Sequence, residues 1–226
     1  MRATWDELAS APELYVGDSG RGEQELDGLF GRLGADPRGG ICLEVGCGSG
    51  RMTAHLAGRF DRVVALDVSP AMLEHARAAT AAAVNVEFRL VSGHQLDGVE
   101  DGLANTLICY LVLQHLPRRA LILGYLAEFA RVLAPGGEAF VQLPVLRPGL
   151  RPRLRRFVAA RATGVLSRLS RDPATRPAFR GVRLREAELW SGLDAAGLEV
   201  LCQAEGPDAP YRHATDFFMR LRAAPR

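Results

Sequence analysis

Three stretches of this sequence predict an α/β protein built on a doubly wound, mostly parallel sheet. Residues 41–45 (Ile-Cys-Leu-Glu-Val) form an apolar run that breaks into alternating glycines, Gly46, Gly48 and Gly50, ahead of an amphipathic stretch. Residues 62–66 (Arg-Val-Val-Ala-Leu) form a second apolar run that ends on Asp67. Residues 105–110 (Asn-Thr-Leu-Ile-Cys-Tyr) are almost continuously apolar, as suits a central parallel strand covered on both faces. Apolar strand, Gly-rich turn and helix make the first unit of a nucleotide-binding sheet. Glycine takes positive φ and lets a ligand lie against bare backbone. The helix start adds free N–H groups for polar ligand atoms.

The elements follow in order. Trp5 and the residues around it predict a short helix over 4–9, ahead of the glycines Gly17, Gly20 and Gly22. A frayed terminus is one reading of residues 1–23. Large aromatics such as Trp5 and Tyr15 usually cover something, which favours a docked segment. Leu26, Leu29, Phe30 and Leu33 give helical spacing over 23–33, with Gly34 and Pro37 as the stop. A helix over 51–60 follows the glycine turn. After the second strand, Ser69 at the N-cap and Pro70 at the first helical position start a helix that runs over 71–83. Asp67 is thereby free of capping duty. It stands about where a carboxylate takes both ribose hydroxyls in nucleotide sites. One carboxylate offers two acceptor oxygens to two adjacent donors.

Residues 85–91 alternate as a third strand, followed by Ser92-Gly93-His94-Gln95-Leu96-Asp97. The fourth strand runs into Leu111-Val112-Leu113-Gln114-His115-Leu116-Pro117. A helix over 118–133 ends at Ala134-Pro135-Gly136-Gly137, where Pro and Gly stop it. Residues 138–143 form the fifth strand. A helix over 185–196 ends at Gly197, and 198–204 with 214–221 read as an antiparallel hairpin. The loop between them holds Asp208, Tyr211, Arg212 and His213.

Composition suits one soluble domain of 24.4 kDa in the cytoplasm. The start lacks the apolar core of a signal peptide, and no apolar run reaches the ~18 residues of a membrane span. Cys42, Cys47, Cys109 and Cys202 lack metal-ligand spacing and read as small buried apolar residues, so no metal is expected. All basic charge except histidine is arginine, with no lysine. Residues 147–185 carry twelve arginines against the single acid Asp172. Leu154, Phe157, Val158, Val165, Leu166 and Leu169 repeat there at helical spacing, a basic amphipathic pattern. Such a helix can cover a pocket and favour an anionic acceptor, lie on a membrane surface through residues 150–170, or be solvated. With Phe157 and Phe179 as its only aromatics it is not built for nucleic acid.

A dinucleotide fingerprint G-x-G-x-x-G would need glycine where Arg51 stands. The pattern present is Glu44-x-Gly46-x-Gly48-x-Gly50. It resembles the signature of class I S-adenosylmethionine-dependent methyltransferases of the small-molecule type. Leu113-Gln114-His115-Leu116-Pro117 and Leu133-x-Pro135-Gly136-Gly137 also look like that family. The resemblance covers residues 41–143 and, beyond them, architecture alone. It implies a seven-stranded, mostly parallel Rossmann-like sheet with an antiparallel C-terminal strand and a helical lid insertion. It divides a single domain, 1–226, into an N-terminal helical cap (1–36), a cofactor core (41–143), a basic lid (147–185) and a C-terminal helix and hairpin (186–226). It implies S-adenosylmethionine as cofactor, S-adenosylhomocysteine as product and methyl transfer to a small-molecule acceptor, anionic or lipid-like.

The loop with Glu44, Gly46, Cys47, Gly48 and Gly50 would wrap the methionine half, with Glu44 facing the amino end. Asp67 would bind the ribose, and Val68 and Met72 would line the adenine, although Met72 also suits a core position. Many relatives carry Gly-Asp where this chain has Gly93-His94, which leaves His94, Gln95 or backbone to meet the adenine amino group. Tyr110, Gln114 and His115 would lie beside the transferred methyl, and Tyr15, Tyr211 and His213 would approach the acceptor. His115 suits a general base, with an unperturbed pKa near ~6.5. It equally suits a turn-shaping hydrogen bond. A nicotinamide-dependent oxidoreductase is disfavoured by Arg51. A cofactor-binding regulatory or partner subunit without transferase activity is the alternative, because fold does not fix chemistry.

Overall fold

A computed structural model describes residues 2–10, 21–146, 181–206 and 215–224. The strands are β1 (Ile41–Val45), β2 (Arg62–Asp67), β3 (Val86–Leu90), β4 (Ala104–Cys109), β5 (Leu133–Leu146), β6 (Leu184–Arg185), β7 (Leu198–Gly206) and β8 (Thr215–Ala223). Seven of them lie in the order β3-β2-β1-β4-β5-β8-β7, and the two-residue β6 pairs with β5 off this path. The first five are mutually parallel. β8 runs antiparallel to both β5 and β7. The chain winds outward from β1 to β3, then returns to place β4 on the other flank of β1. That reversal opens a crevice at the carboxyl ends of β1 and β4, where ligands of such sheets collect.

Both faces of the sheet are covered. The helices are α1 (Arg2–Leu8), α2 (Gly22–Arg32), α3 (Thr53–Ala57), α4 (Pro70–Ala79), α5 (Arg119–Val132) and α6 (Glu186–Ala196). Leu43, Leu107, Val141 and Met219 pack with Ile122, Leu126 and Leu193 of α5 and α6. Cys42, Val63, Ile108, Phe140 and Phe218 pack with Leu26, Phe30 and Leu56 of α2 and α3. Phe30 meets Phe140 edge to face at 4.9 Å, worth about 1 kcal/mol beyond burial. Burial on both faces explains why β4 shows no alternation.

Boundaries differ where local chemistry intervenes. The helix after the glycine turn is five residues long, because residues 49–52 are spent in turns and Gly58 follows at once. α4 starts as its cap predicts, with Ser69 Oγ accepting from Met72 N at 3.2 Å and Pro70 following. It stops at Ala79, where Thr80 Oγ1 turns back to donate to Ala76 O at 2.8 Å. β5 starts directly after α5, since the Pro-Gly-Gly segment lies along β4. A Cβ on Gly137 would stand 2.6 Å from Ala104 O. Among the described residues no helix is long and apolar enough to cross a membrane. The Arg-rich pattern over 147–180, with its expected lid role, lies outside the described residues.

Candidate functional site

The glycine loop is held by the strand beside it. Gly46 N and Cys47 N both donate to Leu66 O, at 2.8 and 2.9 Å. Gly46, Gly48 and Gly50 take φ of 75, 55 and 85°, the left-handed region that suits glycine. Two of them are also required by space. A Cβ on Gly46 would overlap the Val112 methyls, and one on Gly50 would stand 2.8 Å from Ala76 Cα. The turn after β4 and helix α4 are thus pressed directly onto the loop. Arg51, buried, pairs with Glu25 of α2, and the first residue of α2, Gly22, packs against the Arg51 carbonyl. The residue that breaks the dinucleotide pattern therefore anchors a helix.

Two buried carboxylates flank the loop. Asp67 Oδ2 accepts from Gly48 N and Oδ1 from Ser69 N, both at 2.9 Å. Each oxygen keeps a lone pair for a further donor, as binding to a diol requires. Burial pushes the Asp67 carboxyl up, and the N–H groups of Ser69, Gly48 and Val68 pull it part of the way back. Glu44 Oε2 accepts from Thr53 Oγ1 at 2.6 Å. Burial, reinforced by the Asp67 charge, raises Glu44 from 4.5 to about 7, against the pull of Thr53 and Arg51.

That shift has a definite sign. Between pH 4.5 and about 7 the folded chain holds a proton on Glu44 that the unfolded chain has released. Stability from this group is therefore full below 4.5 and falls as pH rises towards 7, by roughly 3 kcal/mol over the whole window. Glu44→Gln keeps an acceptor for Thr53 and removes the titration. Thermal unfolding against pH is expected to show a flatter profile for the variant across that window. Identical slopes would exclude Glu44 as the buried proton holder.

Residues 2–10 dock on this end of the sheet. Arg2 donates from Nε to Val68 O at 2.8 Å and from Nη2 to Val91 O at 3.2 Å. Asp6 Oδ1 accepts from Ser69 Oγ at 2.5 Å, and His75 Nε2 meets Ala9 O at 2.8 Å. Met72 is completely buried with Leu8 and Ala9, where it supports α1. Val68 is half-buried beside it. His94 and Gln95 lie exposed in the loop after β3, and the Gln95 amide donates to Asp97. Tyr15, Tyr211 and His213 fall outside the described residues.

The β4 end forms the opposite wall. Leu111 adopts φ 59°, the one positive φ outside glycine among the described residues. Such a backbone costs on the order of 1 kcal/mol, so something must hold it. Its N–H donates to Gln142 Oε1 at 2.9 Å, and its carbonyl accepts from Gln114 Nε2 at 3.4 Å. Gln114 is buried and faces inward, towards Leu111 and His115 Nε2. His115 lies on a single 3-10 turn, Leu113–His115, with the Trp5 ring edge-on at 5.1 Å. Tyr110 is half-buried, 6.4 Å from the Phe218 ring. Gly181 closes the back of the turn, where a Cβ would stand 2.5 Å from the Gln114 and Leu116 carbonyls. Among the described residues no cluster of His, Cys, Asp and Glu is arranged to hold a metal.

The loop, the two carboxylates and the β4 turn thus converge on the crevice between β1, β2 and β4. Residues 42–137 match the family model described as a methyltransferase domain. Residues 42–137 are thus similar to a methyltransferase domain. The chain is similar to ubiquinone biosynthesis O-methyltransferase of Xanthomonas oryzae pv. oryzae, at 32% identity over 117 residues. That alignment covers 51% of this chain and 47% of the relative. Trans-aconitate 2-methyltransferase of Methylobacterium radiotolerans is 35% identical over 162 residues, 71% of this chain and 58% of that one. The chain thus spans about half the length of these curated relatives. In fold the chain superposes on the N-methyltransferase NodS of Bradyrhizobium japonicum solved with S-adenosylhomocysteine, with a TM-score of 0.68 at 16% identity. That match covers 99% of this chain and 98% of the other.

The fit to S-adenosylmethionine can be tested on this chain's own atoms. Val112 and Ala76 leave no room for a side chain at Gly46 or Gly50, so at those positions the loop is backbone alone. Asp67 retains acceptor capacity beside it. The residues present suit the cofactor. Sequence reasoning missed Thr53, Arg2, Asp6 and Gln142. Thr53 reaches back nine residues to Glu44, and the other three act through partners 31 to 89 residues away.

Proposed function

We propose that this chain transfers a methyl group from S-adenosylmethionine to a small-molecule acceptor, leaving S-adenosylhomocysteine. The observation that carries the reading is the Asp67 carboxylate, which gathers the Gly48 and Ser69 N–H groups at the carboxyl ends of β1 and β2. Gly46, Cys47, Gly48 and Gly50 hold the methionine half, with Glu44 behind the loop. Asp67 holds the ribose, and Val68, His94 and Gln95 flank the base. When bound, the cofactor supplies an electrophilic methyl on a good leaving group. The work left to the chain is largely positioning, which holds the acceptor in line and excludes water. Tyr110, Gln114 and His115 border the acceptor side. His115 is the candidate to take a proton from the acceptor.

An anionic or lipid-like acceptor is supported by the arginine excess of residues 147–185. An oxygen nucleophile is supported by the similarity to the Xanthomonas ubiquinone biosynthesis O-methyltransferase. The test is a labelled-methyl transfer screen over phenolic, carboxylate and lipid-like compounds. Label is expected in one class, and His115→Ala is expected to slow turnover by roughly 100-fold or more. Full turnover in that variant would remove the base role. Binding of S-adenosylhomocysteine with no transfer to any class would favour the subunit without transferase activity.

A further inference from the structure

The two edges of the sheet differ in chemistry. β3 ends the order β3-β2-β1-β4-β5-β8-β7 and, among the described residues, pairs with β2 alone. Asn85 O accepts from Val63 N, and Val91 N donates to Asp67 O, both at 2.9 Å. The odd-numbered residues therefore turn their backbone groups towards β2. By alternation the N–H and C=O groups of Val86, Phe88 and Leu90 point outward, a row that a further strand can complete. The side chains leave an apolar face open beside that row. Among the described residues three large apolar side chains are exposed, Val84, Leu90 and Trp190, and the first two bracket β3. Leu90 is 47% exposed, and Val86 and Phe88 on the same face are half-buried. The other face carries Glu87 and Arg89, which pair with each other and with Arg62 and Glu100 on their flanks, two acids against two bases.

We propose that β3 pairs with β3 of a second copy of this chain, antiparallel about a two-fold axis at Phe88, and so joins two sheets into one. The strand runs apolar, acid, aromatic, base, apolar, and is its own complement when reversed. Isologous pairing sets Val86 opposite Leu90, Glu87 opposite Arg89, and Phe88 opposite its own counterpart. Apolar, opposite-charge and aromatic pairs are the favourable ones across strands. Val86, Phe88 and Leu90 become hydrogen-bonded pairs, because their backbone groups already point outward. Glu87 and Arg89 then fall on non-hydrogen-bonded pairs, where side chains lie closest. Charge fixes the register. An axis at residue 87 would set Glu87 against Glu87, and one at residue 89 would set Arg89 against Arg89. An axis between two residues would set outward groups against inward ones and break the ladder. The far edge offers no such match. β7 carries Glu199 and Glu205 with no basic residue, so no register sets acid against base there. β3 lies two strands from β1, so the pairing stands apart from the crevice and does not rest on the methyltransferase reading.

Sedimentation equilibrium of the full chain is the test. At roughly 50 μM, where a micromolar dimer is mostly formed, the wild type is expected to sediment at about twice 24.4 kDa. Glu87→Arg and Arg89→Glu each set like charges opposite one another, and each is expected to raise the dimer dissociation constant about tenfold or more. An equimolar mixture of these two variants sets base against acid again and is expected to recover the dimer. Leu90→Lys changes an exposed side chain outside the core and is expected to weaken the dimer as well. Circular dichroism and thermal unfolding establish that each variant is folded, and Leu90→Lys serves where a charge reversal is not. A monomeric wild type overturns the proposal. So does a dimer that all of these substitutions leave intact, since it would then form through another face. Charge-reversed variants that stay monomeric when mixed overturn the register.

Discussion

Replacing Asp67 with alanine is expected to weaken S-adenosylhomocysteine binding by about 100-fold, equivalent to roughly 3 kcal/mol. Two losses combine. The ribose hydroxyls lose a charged acceptor, and charge-assisted hydrogen bonds are stronger than neutral ones. The glycine loop also loses its tether, because Asp67 Oδ2 holds the Gly48 N–H at 2.9 Å. Folding stability should change far less than affinity, because the burial that raises the Asp67 carboxyl already opposes its charge. Isothermal titration with S-adenosylhomocysteine measures the first effect and thermal unfolding the second. An affinity within about threefold of wild type would mean that ribose binds elsewhere.

Gly50→Ala should act on the opposite quantity. The new methyl would stand 2.8 Å from Ala76 Cα and 3.0 Å from its Cβ, at a φ of 85°. Backbone cannot rotate away as a side chain can, so loop or helix α4 must shift. Left-handed strain adds about 1–2 kcal/mol, and overpacking about 1–3 kcal/mol. A total near 3 kcal/mol lowers the melting temperature by roughly 6–12 °C in a chain of this size. Cofactor affinity is expected to fall as well, since α4 begins at Ser69, whose N–H binds Asp67 Oδ1. An unchanged melting temperature would show that the loop and α4 are not in close contact in solution.

The residues proposed for the cofactor were legible because their pattern is local. Glu44 to Gly50 is one unbroken segment that resembles a family signature, and Asp67 closes the next strand at the spacing of a ribose-binding carboxylate. The same holds for the Ser69-Pro70 start of α4, a cap defined by adjacent residues. The turn after β4 was not legible in that way. Gln142 sits within a strand whose neighbours are apolar, and its bond to Leu111 joins residues 31 apart. Leu111 gives no local cue either, since leucine rarely takes positive φ and the bond that holds it comes from residue 142. The Arg2 and Asp6 contacts reach 63 to 89 residues along the chain, beyond any periodic pattern. Arg51 shows the reverse case. It was read by exclusion, as the residue that breaks a dinucleotide pattern, while its ion pair with Glu25 gives it a positive role.

The reversed direction of β8 has a consequence for how such an enzyme can change. Parallel strands deliver their last residues to the ligand edge of the sheet, whereas β8 delivers one of its first, Asp216. The wall proposed for the cofactor is therefore written in one short continuous passage of the gene, and the edge proposed for the acceptor is pieced together from distant passages. Insertions after β5, or between β7 and β8, enter next to the acceptor wall and leave residues 44–69 untouched. A new substrate range can then be acquired by splicing at those two points, while the inherited cofactor passage is copied without alteration.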